Sequence, residues 1–268
     1  MNLQQKKSPG LVVEVSGAVA SVEINRPEKR NSLSPGLLGG IVSALKKFEK
    51  EGAVRCVVLS GRGGKAFSSG YDFSFIGERD MVRDYVAPAH PLAAACDAIE
   101  RFPRPVVAMV EGYAVGGGLE LAAACDFIIC SDDSTFSMPP AKLGIAYPLS
   151  GLERIARAAG VSNAKRMLFT AQPVTAQEAF ETGLVSEVVS SESLKEKTFE
   201  TARRIAEGSP LSTEAAKLGL NALSRSQNLL PSDEKAVKKA LEKAQASDDF
   251  KEGIASVSEK RKPVFKGR

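Results

Sequence analysis

The first segments of the chain differ in how apolar and polar residues alternate. Residues 11–24, LVVEVSGAVASVEI, alternate with a period of two and are rich in Val, so they predict two strands that turn at Ser16 and Gly17. In the following NSLSPGLLGGIVSALKKFEK the period becomes helical, with Ser34 as N-cap and Pro35 in the first turn. The predicted apolar face of this helix contains Leu37, Leu38, Ile41, Val42, Leu45 and Phe48.

Strand and helix patterns then alternate through the first two thirds of the chain. The order is a strand VRCVVLS (54–60), a loop GRGGKAFSSGYD, a helix that ends near Arg101, a strand PVVAMVEG (105–112), a glycine run, a helix from about Gly118 to Cys125, and a strand DFIICS. Such alternation predicts an α/β fold with parallel strands, whose loops gather functional groups at one edge.

From about Glu192 the pattern is helical. Three segments predict helices, SLKEKTFETARRIAEG, PLSTEAAKLGLNAL and SDEKAVKKALEKAQA, with caps at Ser209/Pro210 and at Ser232. This part is too small for a large core of its own. We therefore expect it to pack on the main part of the chain or on a neighbouring subunit.

Composition and charge are those of an ordinary globular protein. The 268 residues include 36 basic and 32 acidic side chains, for a formal net charge of +4, and 43% are hydrophobic. Because the basic residues are spread among acids, no nucleic-acid partner is expected, although the two chain ends are locally basic. The four cysteines have no CxxC spacing, so reduced buried thiols are favoured over a metal or redox site.

No stretch approaches the roughly 20 apolar residues of a membrane span, and the N-terminus lacks the apolar core of a signal peptide. We therefore expect no membrane association and a cytoplasmic location. An organelle form without its targeting segment would have the same sequence.

Nucleotide and triad motifs fail on inspection. A phosphate loop aligned on Gly64 and Lys65 of GRGGK needs glycine at position 59 and Ser or Thr at position 66, where this chain has Leu59 and Ala66. The segment VGGGLE lacks the GxGxxG spacing of a dinucleotide-binding turn. His90, the only histidine, stands in APAHPLAAA with no acidic neighbour, so a triad would rest entirely on it. A helix-entry residue is the favoured interpretation of His90.

Bare backbone next to a single carboxylate is the strongest chemical feature. In AVGGGLELAAACD (114–126) a strand ends in three glycines and enters a helix, which leaves N–H groups at the positive end of the helix dipole. FSSGYD is a second such turn, and two N–H donors from separate turns can hold one developing oxyanion. Glu120 lies among apolar residues, and burying an unpaired carboxylate is costly enough that a function is favoured.

Several segments in order resemble the enoyl-CoA hydratase/isomerase (crotonase) superfamily, nearly from end to end. They are INRPEKRNSLS, KAFSSGYDFS, RPVVAMVEGYAVGGGLELAAACDFIIC, FSMPPAKLGI, TAQEAFETGLVSEVV and EKRKPVFKG. The resemblance implies a core of strand-strand-helix turns forming a spiral over residues 1–200, and a helical trimerisation region over residues 201–268. It also implies a homotrimer or a dimer of trimers, with no permanently bound cofactor.

The same resemblance implies an acyl-CoA thioester as substrate, with its carbonyl held by the amides of Tyr71 and Gly117 and with Glu120 moving protons. Coenzyme A, as part of the substrate, is expected along Ala66–Ser74, with phosphates near Lys29 or Arg30 and with Lys260 reaching it, either in the same subunit or from the next one. The residues assigned to that face are Lys29, Arg30, Ala66, Ser68, Tyr71, Asp72, Phe73, Ser74 and Lys260. No metal ligands are expected.

One departure bears on the reaction. Hydratases of the family have a second Glu in a segment like FGxPE, whereas FSMPPAKLG has Pro140 there, which cannot transfer a proton. The sequence most resembles the methylmalonyl-CoA decarboxylase branch, which also lacks the second Glu and has a Tyr matching Tyr147. The resemblance implies that Tyr147 places the substrate carboxylate, and packing of its ring under the acyl chain is the alternative. That branch has His in place of Tyr71 and Thr in place of Pro139, so loss of carboxylate recognition stays open.

Three functions stay open. Decarboxylation of a methylmalonyl-CoA-like substrate comes first, then hydration or isomerisation with Glu120 alone, then non-catalytic binding of acyl-CoA or RNA. The acyl group depends on pocket walls that spacing does not reveal. We expect these walls to include Phe73, Phe75, Ile76 and the segment Met81 to Tyr85.

Overall fold

The computed structural model describes residues 10–75, 90–143, 145–225, 231–259, 261 and 263–268. Across these residues, ten strands form two sheets. The larger has the order β1-β2-β3-β5-β7-β10 and the smaller has the order β4-β6-β8-β9. The strands are β1 (Leu11–Ser16), β2 (Val19–Ile24), β3 (Cys56–Gly61), β4 (Ala66–Ser68), β5 (Val106–Val110), β6 (Tyr113–Val115), β7 (Phe127–Ser131), β8 (Thr135–Ser137), β9 (Val174–Thr175) and β10 (Glu187–Val189).

Eleven helices are described in those residues. They are α1 (Pro35–Glu51), α2 (Pro91–Arg101), α3 (Gly117–Ala123), α4 (Pro140–Leu143), α5 (Leu149–Ala159), α6 (Val161–Thr170), α7 (Ala176–Glu181), α8 (Ser191–Glu207), α9 (Pro210–Arg225), α10 (Pro231–Gln245) and α11 (Asp248–Ser258). Short 3-10 turns lie at Pro27–Lys29 and Phe73–Phe75.

The two sheets grow together as the chain turns. Each of the pairs β3 and β4, β5 and β6, and β7 and β8 places one strand in the larger sheet and the next in the smaller. Within each sheet these successive strands are parallel, because a helix or loop returns the chain before the next pair begins. The predicted α/β spiral of strand-strand-helix turns is therefore confirmed.

The hairpin and the first helix form as predicted. Strands β1 and β2 are antiparallel around Gly17, and the Ser34 side chain accepts a hydrogen bond from Leu37 N at the start of α1. Five of the six predicted apolar positions of α1 are buried, while Val42 is half-buried. The packing of this face on the sheets makes α1 part of the main core.

Among the described residues, the sequence did not predict the short strands β4, β6, β8, β9 and β10 or the helices α4, α5, α6, α7 and α11. The segment predicted as a loop contains β4, and β6 lies between the predicted strand and the glycine run. Strands of two or three residues are defined by their pairing across a sheet, and they are too short to show an alternating pattern. Ser232 was predicted as a cap but lies inside α10, which begins at Pro231, and α11 was not predicted.

Two of the C-terminal helices, α8 and α9, pack on the core of the same chain. Apolar residues of α8 cover one face of the larger sheet, with Leu194 and Ala202 packed against Val58 and Val107. Helix α9 is tied to the core by a buried lysine, since Lys217 Nζ donates to Arg104 O before β5 at 3.1 Å and to Asp126 Oδ2 before β7 at 2.8 Å. Helix α8 continues through residue 200, and the division at that residue stays a prediction.

The cysteines behave as buried apolar residues. All four are free and buried, as predicted from their spacing. Burial raises the pKa of the Cys56 and Cys130 thiols to about 12, so they stay protonated at neutral pH. In the described part of the chain, no helix has the length and apolarity that a bilayer crossing requires.

Candidate active site

Two backbone turns meet at the edge of the smaller sheet. One follows β4 and contains Gly70 and Tyr71; the other follows β6 and leads into α3 at Gly117. Strands β4 and β6 are parallel neighbours, so the turns that follow them lie side by side. Gly70 has a φ of +96°, a conformation that favours glycine, and it lets the first turn approach the second.

The direction of the Tyr71 amide follows from its neighbours. Leu33 N donates to Gly70 O, and Asp72 N donates to Leu33 O, both forming part of an isolated parallel bridge between Leu33 and Tyr71. Because peptide groups alternate in direction along extended backbone, the N–H of Tyr71 points away from Leu33. It therefore faces the side on which Gly117 lies.

The two turns approach each other closely, whether the distance is measured from Gly117 or from Gly70. A methyl carbon placed on Gly117 would lie 3.3 Å from Tyr71 N, and one placed on Gly70 would lie 3.3 Å from Gly117 N. Gly117 is the first residue of α3, whose leading N–H groups have no carbonyl one turn earlier to bind. The two predicted donors are thus adjacent, on backbone that carries no side chain at Gly117.

Glu120 lies one turn into α3, on the same face as Gly117, and is 4% exposed. Its Oε2 accepts a hydrogen bond of 2.5 Å from Tyr147 Oη, and its Oε1 accepts one of 3.0 Å from Arg154 Nη1. Burial raises the pKa of the Glu120 carboxyl above its usual range, against the opposing effects of Tyr147 and Arg154. Both predicted polar residues, Glu120 and Tyr147, therefore lie in direct contact.

Arg154 was missed by the sequence analysis. It lies on α5 among Gly151, Ile155 and Ala159, which are the buried residues of that helix, and it is itself 4% exposed. An arginine inside the apolar stripe of an amphipathic helix is the signal that identifies such a residue. LERIARAAG is otherwise rich in charge, and this masked the signal.

Tyr147 is fixed by the start of α5. A methyl carbon on Gly151 would lie 2.3 Å from Tyr147 Cε1 and 3.0 Å from Glu120 Oε2, so no larger residue fits there. The tyrosine ring consequently packs directly on the helix backbone. This close approach places its hydroxyl at Glu120.

The segment that carries a second Glu in hydratases lies against the glycine turn. Gly116 N donates to Ser137 O at the end of β8, and Pro140 then begins α4 as a buried residue. The carboxylates on the Arg154 side are Asp97 and Glu100 of α2, and both pair with Arg154. Pro140 therefore leaves Glu120 as the carboxylate at the site among the residues described.

His90 enters α2 as its N-cap, which confirms the helix-entry interpretation. Its Nδ1 accepts a hydrogen bond from Leu92 N at 3.3 Å. The imidazole ring also packs on the ring of Tyr71, with 4.7 Å between the centroids. Leu92 contacts the Gly117 position, so the start of α2 forms one wall beside the two turns.

The basic residues expected near phosphates are exposed beside the Tyr71 turn. Lys29 and Arg30 are both exposed, and their carbonyls receive hydrogen bonds from Ser69 Oγ and Ser69 N. Buried Asn31 holds this loop, because its Nδ2 donates to the carbonyls of Arg62 and Ala66. The geometry places two cations next to the turn that contains Tyr71.

The other residues assigned to coenzyme A differ in accessibility. Ala66 and Ser68 are buried in β4, and Ser68 Oγ accepts from Gly70 N. Asp72 is bound to Arg26, Ser32 and Ser74 of the same chain, at 3.0 Å for Arg26 Nη2. Burial acts to raise the pKa of Asp72, but hydrogen bonds from Ser74, Arg26 and Ser32 outweigh it and lower the pKa to about 2.

The remaining predicted residues are placed as follows. Phe73 begins a 3-10 turn that ends at Phe75, whose side chain is exposed. Lys260, Ile76 and Met81 to Tyr85 lie outside the described residues. Within the described ranges, no three His, Cys, Asp or Glu side chains are arranged to hold a metal ion.

Fold and site together define a class of protein: an α/β spiral in which two backbone amides converge beside a buried carboxylate. Comparison with known proteins agrees. The sequence profile of the enoyl-CoA hydratase/isomerase family matches residues 14–268. The chain is 34% identical over 250 residues to the methylmalonyl-CoA decarboxylase of Escherichia coli (strain K12), covering 93% of this chain and 95% of that protein.

Hydratases are equally similar. A probable enoyl-CoA hydratase of Rhizobium meliloti (strain 1021) is 35% identical over 259 residues, covering 96% of this chain and 98% of the relative. The crystal structure of an enoyl-CoA hydratase subunit from Geobacillus kaustophilus HTA426 aligns with a TM-score of 0.86 at 34% identity, covering 97% of this chain and 98% of that one. The chain therefore belongs to the enoyl-CoA hydratase/isomerase (crotonase) family and is an acyl-CoA enzyme of that family.

Proposed function

We propose that this protein decarboxylates a methylmalonyl-CoA-like thioester through an enolate. The observation that carries the proposal is the engagement of both Glu120 oxygens, one by Tyr147 and one by Arg154. Addition of water to an enoyl thioester needs carboxylate oxygens that hold and deprotonate water. Decarboxylation needs no such base, and Pro140 stands where hydratases carry the second one.

The proposed step is balanced within the site. The bond between Cα and the substrate carboxylate breaks, CO2 leaves, and the electron pair forms an enolate whose charge rests on the thioester oxygen. The amides of Tyr71 and Gly117 donate to that oxygen, an interaction that strengthens as charge develops. Cα then takes a proton, which the hydrogen-bonded pair of Tyr147 and Glu120 supplies and regains from water.

Coenzyme A is proposed to lie along the exposed edge of the first turn. Lys29 and Arg30 are the cations for its phosphates, and Lys260 is a further one. Because Ala66 and Ser68 are buried and the Asp72 carboxylate is engaged, we assign contacts in this segment to its backbone and to Ser74, which is exposed. No permanently bound cofactor is proposed.

The helices after residue 200 are proposed to form the oligomerisation region of a homotrimer or of a dimer of trimers. Leu220 and Leu223, one turn apart on α9, are 66% and 58% exposed in the single chain. Exposed apolar side chains on one helix are typical of subunit contacts. Sedimentation equilibrium tests this assignment, with a monomer as the contradicting result.

A second candidate is hydration or isomerisation that uses Glu120 alone. The raised pKa of the buried Glu120 carboxyl favours it, because a general base works best when its pKa lies near the operating pH. Sequence identity does not separate the two candidates, at 34% for the decarboxylase and 35% for the hydratase.

The deciding experiment incubates the purified protein with methylmalonyl-CoA and with crotonyl-CoA and weighs the products. The proposal expects the first thioester to lose the mass of CO2 and the second to stay unchanged. Addition of water to crotonyl-CoA that is lost in Glu120→Gln, without CO2 release from methylmalonyl-CoA, overturns it. Binding of both thioesters without turnover also overturns it and favours a non-catalytic acyl-CoA binder.

Tyr147→Phe tests the role of the hydroxyl. This change removes one oxygen and keeps the ring that packs on Gly151, so we expect kcat for CO2 release to fall by roughly 10²-fold or more. Tyr113→Phe is the matched control, because Tyr113 is half exposed at the start of β6. Equal rates in the two variants contradict the assignment of Tyr147.

A further inference from the structure

Arg154 stands at the centre of three carboxylates from two helices. From α5 its guanidinium donates through Nη1 to Glu120 of α3 at 3.0 Å and through Nε to Glu100 of α2 at 3.1 Å. Its Nη2 pairs with Asp97, also of α2. One buried cation thus connects the helix that carries Glu120 to the two helices beside it.

A purely structural reason for this cluster is weak. Buried ion pairs are often replaced by well-packed apolar side chains with no loss of stability, since their mutual attraction barely exceeds the cost of removing both charges from water. Of the three carboxylates, Glu120 is the one that also accepts a hydrogen bond from Tyr147. Arg154 therefore acts on the pair of side chains that the proposed reaction uses.

We propose that Arg154 is a positioning residue of the reaction: it holds Glu120 ionised and in one orientation, so that Oε2 is committed as the acceptor for the Tyr147 hydroxyl. This inference rests on the proposed function, because it assigns the residue that sets up the Tyr147–Glu120 pair. If Glu120 became protonated, its carboxyl would turn into a donor and the direction of that hydrogen bond would be lost.

Among the described groups around Glu120, Arg154 is the cation that opposes protonation of this carboxylate. Burial and the charge of Glu100 act to raise the pKa of Glu120, while Arg154 and Tyr147 act to lower it. Cys96 of α2 also faces this carboxylate, and burial keeps that thiol neutral by raising its pKa. The other titratable residues on elements packed against α3 are Asp97, Arg101, Tyr113, Cys130, Glu153 and Arg157.

Arg154→Gln tests the proposal by removing the charge and keeping a hydrogen-bond donor. An opposite charge in contact shifts a carboxyl pKa by about 1 to 3 units, so the acid limb of the kcat profile is expected to move up by about that amount. At pH 7 we expect kcat to fall roughly 10- to 100-fold, with KM changed less than about 3-fold, and to recover as the pH rises.

Two matched variants separate charge from packing. Arg154→Lys keeps the positive charge, so its acid limb is expected to stay near that of the wild type even if kcat is reduced. Arg157→Gln removes a charge from the same helix, next to Glu100 and Glu153 but not in contact with Glu120, and is expected to leave the limb unmoved. A limb that moves equally in Arg154→Gln and Arg157→Gln contradicts a specific role for Arg154.

Infrared titration of the Glu120 carboxyl gives a readout that does not depend on turnover. The carbonyl band of a protonated Glu120, identified by its absence in Glu120→Gln, is expected to be missing at pH 7 in the wild type and present in Arg154→Gln. A band at pH 7 in the wild type, or identical titrations in both proteins, overturns the inference. If methylmalonyl-CoA is not turned over but the titrations differ as expected, the proposed function fails and the positioning of Glu120 stands.

Discussion

Two arginine–carboxylate pairs flank the candidate oxyanion site, and they behave differently. Arg26 and Asp72 lie beside the Tyr71 turn, and Arg154 and Glu120 lie on the Gly117 side, with 3.0 Å between the paired atoms in both cases. Asp72 receives further hydrogen bonds from Ser32 and from Ser74, and its pKa falls to about 2. Glu120 has two donors, and burial raises its pKa.

Pairing with an arginine therefore does not by itself set the pKa of a buried carboxylate. At Asp72, several hydrogen-bond donors outweigh the loss of hydration, and the pair with Arg26 holds the Tyr71 turn in place. In the interior, the cost of removing the charge from water is larger, so Glu120 stays ionised only because Arg154 and Tyr147 oppose that cost. The Arg26–Asp72 pair thus has a structural role, whereas the charge of Glu120 depends on the groups around it.

The largest expected effect comes from filling the space between the two turns. In Gly117→Ala the new methyl carbon would lie 2.8 Å from Leu92 Cδ2 and 3.3 Å from Tyr71 N, where the thioester oxygen is proposed to sit. We expect kcat to fall by about 10²- to 10³-fold, the usual effect of losing one oxyanion donor. Steady-state kinetics with the thioester that the wild type converts measure it.

Gly39→Ala is the control for that change. Gly39 is exposed inside α1, and a methyl carbon there meets no other atom within 4 Å. It should leave kcat unchanged, and the loss of backbone freedom in the unfolded chain should stabilise the protein slightly. Similar kinetics in Gly117→Ala and Gly39→Ala would show that the Gly117 turn is not part of the site.

The next effect is a contrast in stability between the two carboxylates. Because the folded-state pKa of Asp72 is lowered from 3.8 to about 2, its ionised form stabilises the fold above pH 3.8, and this is lost as the pH falls toward 2. Asp72→Asn is therefore expected to lose about 1 to 2 kcal/mol of unfolding free energy at pH 7 after screening by solvent, and progressively less as the pH falls through about 2.

Glu120→Gln is expected to change the free energy of unfolding in the opposite direction. Since the folded-state pKa of Glu120 is raised, its ionised form costs stability once the pH exceeds the unfolded-state value. Urea midpoints at pH 7 and fixed protein concentration should thus be unchanged or higher for Glu120→Gln, and lower for Asp72→Asn. Destabilisation of equal size in both variants would mean that the two pairs play the same structural role.

The smallest effect is expected at the exposed edge. Replacing Lys29 and Arg30 together by Gln should raise the Kd for coenzyme A by about 3- to 10-fold, since each exposed ion pair contributes up to about 1 kcal/mol. The effect should shrink at high salt, and kcat should not change. Lys47→Gln, on the exposed side of α1, is the calorimetric control; equal affinities in the two proteins would remove Lys29 and Arg30 from the binding surface.

Much of this arrangement can be predicted from the sequence, because it depends on local pattern. The glycine run predicts a bare turn before α3, and Glu120 is conspicuous as the single charge in an apolar helix. Arg154 and Asp72 could not be assigned in this way. Their roles depend on which carboxylates and donors the fold brings to them from positions distant in sequence. The place of Arg154 in the apolar stripe of α5 is a sign of its burial, but the other charges of that helix masked it.

The proposed function depends on polarisation of a thioester carbonyl by the amides of Tyr71 and Gly117. Infrared spectroscopy of bound propionyl-CoA, labelled with ¹³C at the thioester carbon, measures this polarisation. Two donors on one oxygen weaken the C=O bond, so we expect its stretching frequency to fall on binding and Gly117→Ala to reverse most of the shift. An unshifted carbonyl band in a ligand that calorimetry shows to be bound would contradict this polarisation.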